Sequence, residues 1–128
     1  MQLQATTHYA VRILLYLARN PDVHKVREIA EAVGITSPMA TRIILLLKSS
    51  GYIVNVPPQR GSYVLGKDTK EISFYDVLLI TEGELQLSHC FKSGIKCAAG
   101  NCKAHDMLLS VQADMIERMQ NTSIAELI

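Results

Sequence analysis

The sequence has no excess of charge. Its 128 residues carry 13 basic and 12 acidic side chains, a formal net charge of +1, so any nucleic-acid surface must come from local clustering of cations. It has no apolar run near the roughly 18 residues of a membrane span. It opens on Met1-Gln2-Leu3-Gln4 without the basic and apolar regions of a secretory leader, so the cytoplasm is the expected compartment. It is poor in cysteine, with three, all between Cys90 and Cys102. An odd count leaves one thiol over from any disulfide framework, and cytosolic thiols stay reduced. No nucleophile–base pairing and no phosphate loop is visible, so an enzyme is not expected. With 48% hydrophobic and 20% charged residues, the chain suits a small folded domain rather than a disordered one.

Helical periodicity dominates the first half. Residues 7–19 place Ala10, Leu14, Leu17 and Ala18 on one face, and Asn20-Pro21-Asp22 stops the helix. A second helix at about 25–33 has Val26, Ile29, Ala30 and Val33 at i, i+3, i+4, i+7, with Gly34 as its C-cap. A third begins at once. Ser37 is the expected N-cap and Pro38 a first-turn proline; Ala40, Ile43, Ile44 and Leu47 form its core face, and Gly51 ends it. Two helices joined by a short glycine-containing turn are a helix-turn-helix candidate. Two β-type runs follow, 52–56 and 62–65, around the turn 57–61. Three helices and then a hairpin is the order of a winged helix. The expected fold class is mainly α with a small β-hairpin wing and a long C-terminal dimerisation helix.

Beyond the wing, Ser73 to Asp76 has the capping-box pattern and opens a helix to about Ile80, ended by Gly83. Residues 84–103 lack periodicity. From about Lys103 to Gln120 a helix runs some 25 Å at 1.5 Å per residue. Its apolar residues Met107, Leu108, Val111, Met115, Ile116 and Met119 exceed one narrow stripe, so it must be covered on more than one side, by a second copy or within one chain. Ser123 to Glu126 repeats the capping-box pattern in a short terminal helix. The expected organisation is 1–83 for DNA binding, 84–103 for the cysteine loop and 104–128 for dimerisation.

Two sets of residues carry candidate chemistry. Opposite the core face of the third helix lie Pro38, Thr41, Arg42 and Lys48. Ser37, Thr41 and Arg42 near the helix start are candidates for base readout; Lys48, and Arg60 at the wing tip, are candidates for phosphate. Of Leu45 and Leu46 one must face outward, and nothing in the sequence explains why it is leucine. The second set is Cys90-x6-Cys97-x4-Cys102-x2-His105. Glycines let this loop curl, and the helix start favours anionic sulfur. Thiolate and imidazole suit an iron–sulfur cluster; a Cys3His zinc site and unliganded redox thiols remain alternatives. His89 is expected to be structural, and His24 to sit in an exposed turn.

The segments MQLQATTHYAVRILLYLA and VREIAEAVGITSPMATRIILLLKSSGYI, with the wing, the three-cysteine loop and the terminal SIAEL, resemble the Rrf-type family of bacterial winged-helix regulators, which includes IscR-like and NsrR-like members. The resemblance spans essentially the whole chain. It implies a homodimer on a partly palindromic double-stranded DNA operator, with a [2Fe–2S] or [4Fe–4S] cluster on Cys90, Cys97 and Cys102. It puts His105 where IscR-like members have a histidine ligand. It puts His8 where some NsrR-like members supply an acidic ligand from the partner subunit. The wing departs from the family's R-G-x-x-G-G-Y: Pro57 stands at the arginine and Ser62 at a glycine, with Arg60 the available substitute. The function expected is transcription regulation by a cluster sensing redox state, nitric oxide or iron. The alternatives are a regulator of the same fold controlled by a protein partner or thiol oxidation, and a zinc-binding interaction protein.

Overall fold

A computed structural model describes residues 2–57, 61–91, 100 and 102–128. Helix α1 is Ala5–Arg19 and starts two residues before the apolar pattern does. Its N-cap, Gln4, makes no side-chain cap. The carboxylate of Glu82 does that work from elsewhere, accepting from the Gln4 N–H at 3.1 Å and from the Thr7 hydroxyl. A carboxylate at a helix N-terminus is favourable for the exposed N–H groups and for the helix dipole.

Strand β1, His24–Lys25, leads into α2, Val26–Val33. Gly34 takes the left-handed conformation, φ 83°, that ends α2, as a C-cap glycine does. Helix α3 is Ser37–Ser49, and its axis is bent 106° from that of α2, within the range of helix-turn-helix pairs. The expected N-cap is corrected by one residue. Thr36, not Ser37, has the extended backbone and accepts the Met39 N–H on its side chain, which leaves Ser37 and Pro38 as the first two helical residues. Ala40, Ile43, Ile44 and Leu47 are all fully buried, against Ile13, Leu14, Ile29 and Ile53 in one core. Each large side chain so buried contributes about 1.5–3 kcal/mol.

The wing is β2, Ile53–Asn55, and β3, Ser62–Leu65. The sheet order is β1-β3-β2, antiparallel throughout, with His24 opposite Tyr63 and Val54 opposite Val64. Gly66 closes the hairpin's base with its N–H on Tyr52 O at 2.9 Å. A Cβ there would lie 2.5 Å from Gly51 O, so no larger residue fits without movement. Helix α4 is Phe74–Thr81, opened by the Ser73–Asp76 capping box. Helix α5, Lys103–Gln120, agrees with the expected bounds. The chain then returns: Phe74 N–H donates to Thr122 O and Ile124 N–H to Ile72 O, both at 2.8 Å. The second capping box, Ser123–Glu126, opens a 3-10 turn, Ile124–Leu127, and Ile124 is fully buried in the core.

His24 is a correction. It is buried, not in an exposed turn. Its Nε2 faces Asn20 O at 3.0 Å, and its Nδ1 faces Glu28 at 2.9 Å and the Tyr16 hydroxyl at 3.4 Å. The cluster ties α1, α2 and β1 together, and β1 holds the wing. The hydrogen bond from His24 keeps the Glu28 carboxyl below its usual 4.5, against an opposing effect of burial. A lowered carboxylate pKa contributes stability that is complete above 4.5 and is lost as pH falls below it. His24→Ala is expected to cost about 1–3 kcal/mol by thermal unfolding at neutral pH. The difference between wild type and Glu28→Gln should shrink as the pH is lowered through 4.5; a constant difference would show that the carboxylate plays no part.

Candidate functional site

The exposed side of α3 carries Ser37, Pro38, Thr41, Arg42, Leu45, Lys48 and Ser49. Pro38, Arg42, Leu45 and Ser49 fall at i, i+4, i+7 and i+11, a single stripe opposite the buried residues. All five sequence-predicted residues on this helix are exposed; Pro38 and Arg42 lie on that stripe, and Ser37, Thr41 and Lys48 lie together on the flank beside it. Among the described residues, neither Arg42 nor Lys48 has a carboxylate partner. The helix is held by its core face and its Thr36 cap, which leaves those cations to a ligand. The Thr41 hydroxyl donates to Ser37 O at 2.9 Å and the Ser49 hydroxyl to Leu46 O at 2.6 Å. Leu45 is 54% exposed, while Leu46 is half-buried. Arg60 lies outside the described residues. On the flank of the wing, burial pushes the Tyr52 phenol up, with a further contribution from Asp76.

Two of the candidate ligands stand at the start of α5. Cys102 is the N-cap of that helix and His105 stands in its first turn. Cys90 lies in a 3-10 turn, His89–Phe91. Two contacts dock this turn on α5. The Leu87 N–H donates to the Gln112 side-chain oxygen at 2.8 Å, and the Phe91 ring meets the His105 ring edge-on, centroids 4.9 Å apart. Residues 87–91 thus run back along α5 toward its N-terminus, and Cys90 adjoins the residue that touches His105. Cys90 and Cys102 are free thiols, Cys90 exposed and Cys102 partly covered. Cys97 lies outside the described residues. Among the described residues, no three side chains of His, Cys, Asp or Glu converge to hold a metal. His89 is exposed. His8 is also exposed, on α1, beside an apolar groove lined by Leu3, Val11, Leu15, Phe74 and Leu127. The Phe91–His105 contact has no signal in the sequence beyond the presence of both rings.

No residue of α5 is fully buried in the single chain. Leu108, Met115, Ile116 and Met119 are half-buried, while Met107 and Val111 are 58% and 40% exposed. The expectation that this helix is covered on more than one side is not met within one chain. Among the described residues, no single helix is long and apolar enough to cross a membrane.

A helix-turn-helix with a β-hairpin wing, whose second helix carries two exposed cations without a carboxylate partner among the described residues, defines a winged-helix DNA-binding protein. The family model described as Rrf2, iron-dependent transcriptional regulator, matches residues 3–128, and the chain belongs to that family of DNA-binding transcription regulators. It is not an enzyme. It is 30% identical over 131 residues to protein aau3 of Rhizobium meliloti (strain 1021), covering 100% of this chain and 85% of that one. To the transcriptional regulator NsrR of Shouchella clausii (strain KSM-K16) it is 29% identical over 133 residues, covering 100% and 89%. Its fold is similar to that of the oxidised form of Staphylococcus aureus CymR, with TM-score 0.78 and 19% identity over 99% of this chain and 95% of that one. The fold of T. potens IscR is as similar, with TM-score 0.78 and 19% identity over 99% and 85%.

Proposed function

We propose that the chain is a cytoplasmic homodimeric regulator whose operator affinity is set by an iron–sulfur cluster held by Cys90, Cys97, Cys102 and His105. The observation that carries this reading is the seating of residues 87–91 on α5, which docks the turn that holds Cys90 on the helix that Cys102 caps and His105 belongs to. The donor set fits the group: sulfur and imidazole are soft ligands, and a helix N-terminus stabilises anionic sulfur. When bound, a cluster supplies a centre whose electron count and integrity respond to oxidants, nitric oxide and iron supply.

The chain's own residues do the rest. Ser37, Thr41 and Arg42 face base edges, with Pro38 on the same DNA-facing side, and Lys48 and Arg60 meet phosphate. Residues 1–83 form the DNA-binding part, 84–103 the sensing loop, and 104–128 the dimerisation helix with its return into the core. Holding Cys90, Cys97 and Cys102 together fixes the loop on α5, and α5 sets the distance between the two copies of α3. A signal changes DNA affinity only if the ligands are held with different stability in the DNA-competent and incompetent states.

Protein purified without oxygen should be brown, with visible absorption and with iron and sulfide that co-elute with it. Exposure of Cys90 favours a second reading, regulation by thiol oxidation. Colourless protein whose DNA affinity follows thiol oxidation would establish that reading and overturn the first.

A further inference from the structure

The outward stripe of α3 is short of hydrogen-bond donors. Thr41 and Ser49 both direct their hydroxyl protons back to their own helix, so each offers a lone pair rather than a proton. Pro38 has no donor at all. Arg42 is the one strong donor in the line Pro38, Arg42, Leu45, Ser49. Beside it Leu45 is 54% exposed, although a leucine gains nothing from water. Leu45 lies in line with Pro38 and Arg42 on the exposed side of α3. Only one feature of the DNA major groove is apolar, the C5-methyl group of thymine.

From this stripe we infer that Leu45 reads thymine methyl groups, with the Thr41 methyl and Pro38 extending the same apolar strip, so that the preferred half-site carries thymine where Leu45 enters the groove. The inference rests on the reading of α3 as the DNA-facing helix. Arg42 supplies the polar contact, and the methyl contact adds discrimination at a neighbouring base pair. Burying one methyl group is worth about a fourfold change in affinity.

The test uses duplexes selected by the wild-type protein from a random pool, with each thymine replaced in turn by deoxyuridine, which removes only the methyl group. Wild type should bind about fourfold more weakly at one or more thymines in each half-site. Leu45→Ala should bind the thymine duplex more weakly and be indifferent to deoxyuridine at those same positions. Its side chain is exposed, so the fold should be kept, and an unchanged thermal midpoint checks this. Equal wild-type affinity for thymine and deoxyuridine duplexes would overturn the inference and leave the DNA-binding reading intact. Equal methyl sensitivity in wild type and Leu45→Ala would take the role away from Leu45. A pool that yields no preferred duplex would overturn the reading of α3, and the inference with it.

Discussion

Placing a glutamate at both Val111 and Met115 should convert the protein from a dimer to a monomer of 14.2 kDa. An 18-residue helix without one buried side chain is not stabilised by its own subunit alone. Leu108, Met115, Ile116 and Met119 are left only half-covered by their own chain, and the exposed Met107 and Val111 continue the same apolar surface. A contiguous apolar face left open in one chain marks an association surface. In a symmetric dimer each substitution enters the interface twice. An unpaired charge buried there costs about 3–5 kcal/mol, enough to weaken association by orders of magnitude. Val111 is 40% exposed in the single chain, so Val111→Glu by itself leaves subunit folding untouched and separates dissociation from unfolding. Sedimentation or light scattering measures the mass, and circular dichroism the helix content. A fully helical double variant that stays dimeric would move the interface off α5.

How much of this was legible depends on how local the cause is. Helices α2 and α3 were readable because their buried residues recur at helical spacing and glycines end them. Helix α5 was readable in its bounds, and its excess of apolar residues already implied more than one covering surface. Strand β1 was not readable. Two residues have no period, and His24–Lys25 become a strand only by pairing with β3 some 40 positions later. The misplacing of His24 follows from the same fact, because its partners Tyr16, Asn20 and Glu28 meet only when β1 docks. The N-cap of α3 was missed by one residue because Thr36 and Ser37 are both good caps. What decides is backbone conformation: Thr36 is extended at ψ 153° and its oxygen reaches the Met39 N–H. At the thiol site, the spacing of Cys102 and His105 was visible, since three residues on a helix share a face. The return of residues 87–91 along α5 was not, because it depends on a side-chain amide of Gln112. That the exposed leucine is Leu45 also follows from the structure, since either of two adjacent leucines satisfies the pattern.

Replacing Cys90, Cys97 or Cys102 by alanine should each abolish the visible chromophore of protein purified without oxygen, while His105→Ala should leave a chromophore with an altered spectrum and faster loss. Three thiolates leave one of the four usual protein ligand positions of a [2Fe–2S] or [4Fe–4S] cluster to be filled. His105 is the nearer claimant. It stands in the first turn of the helix that Cys102 caps, and Phe91, the residue after Cys90, holds its ring edge-on at 4.9 Å between centroids. His8 sits on the exposed face of α1 by the apolar groove, and serves only if a partner subunit brings its own thiol site there. The ring contact complicates a single substitution, because His105→Ala removes both an imidazole and a packing partner of Phe91. Phe91→Leu is the necessary control, since it removes the aromatic contact and keeps the imidazole. A ligand role predicts that His105→Ala changes the spectrum while Phe91→Leu changes only the rate of loss. If both variants give the same spectrum as wild type and the same faster loss, His105 is a positioning residue for the loop. A wild-type spectrum and stability in His105→Ala, with both altered in His8→Ala, would give the fourth place to the partner subunit. The dimer would then be part of the sensing site itself, and the Val111→Glu, Met115→Glu variant should lose the chromophore along with its partner. With His105 as ligand, the monomeric variant should keep its chromophore and lose only its DNA affinity.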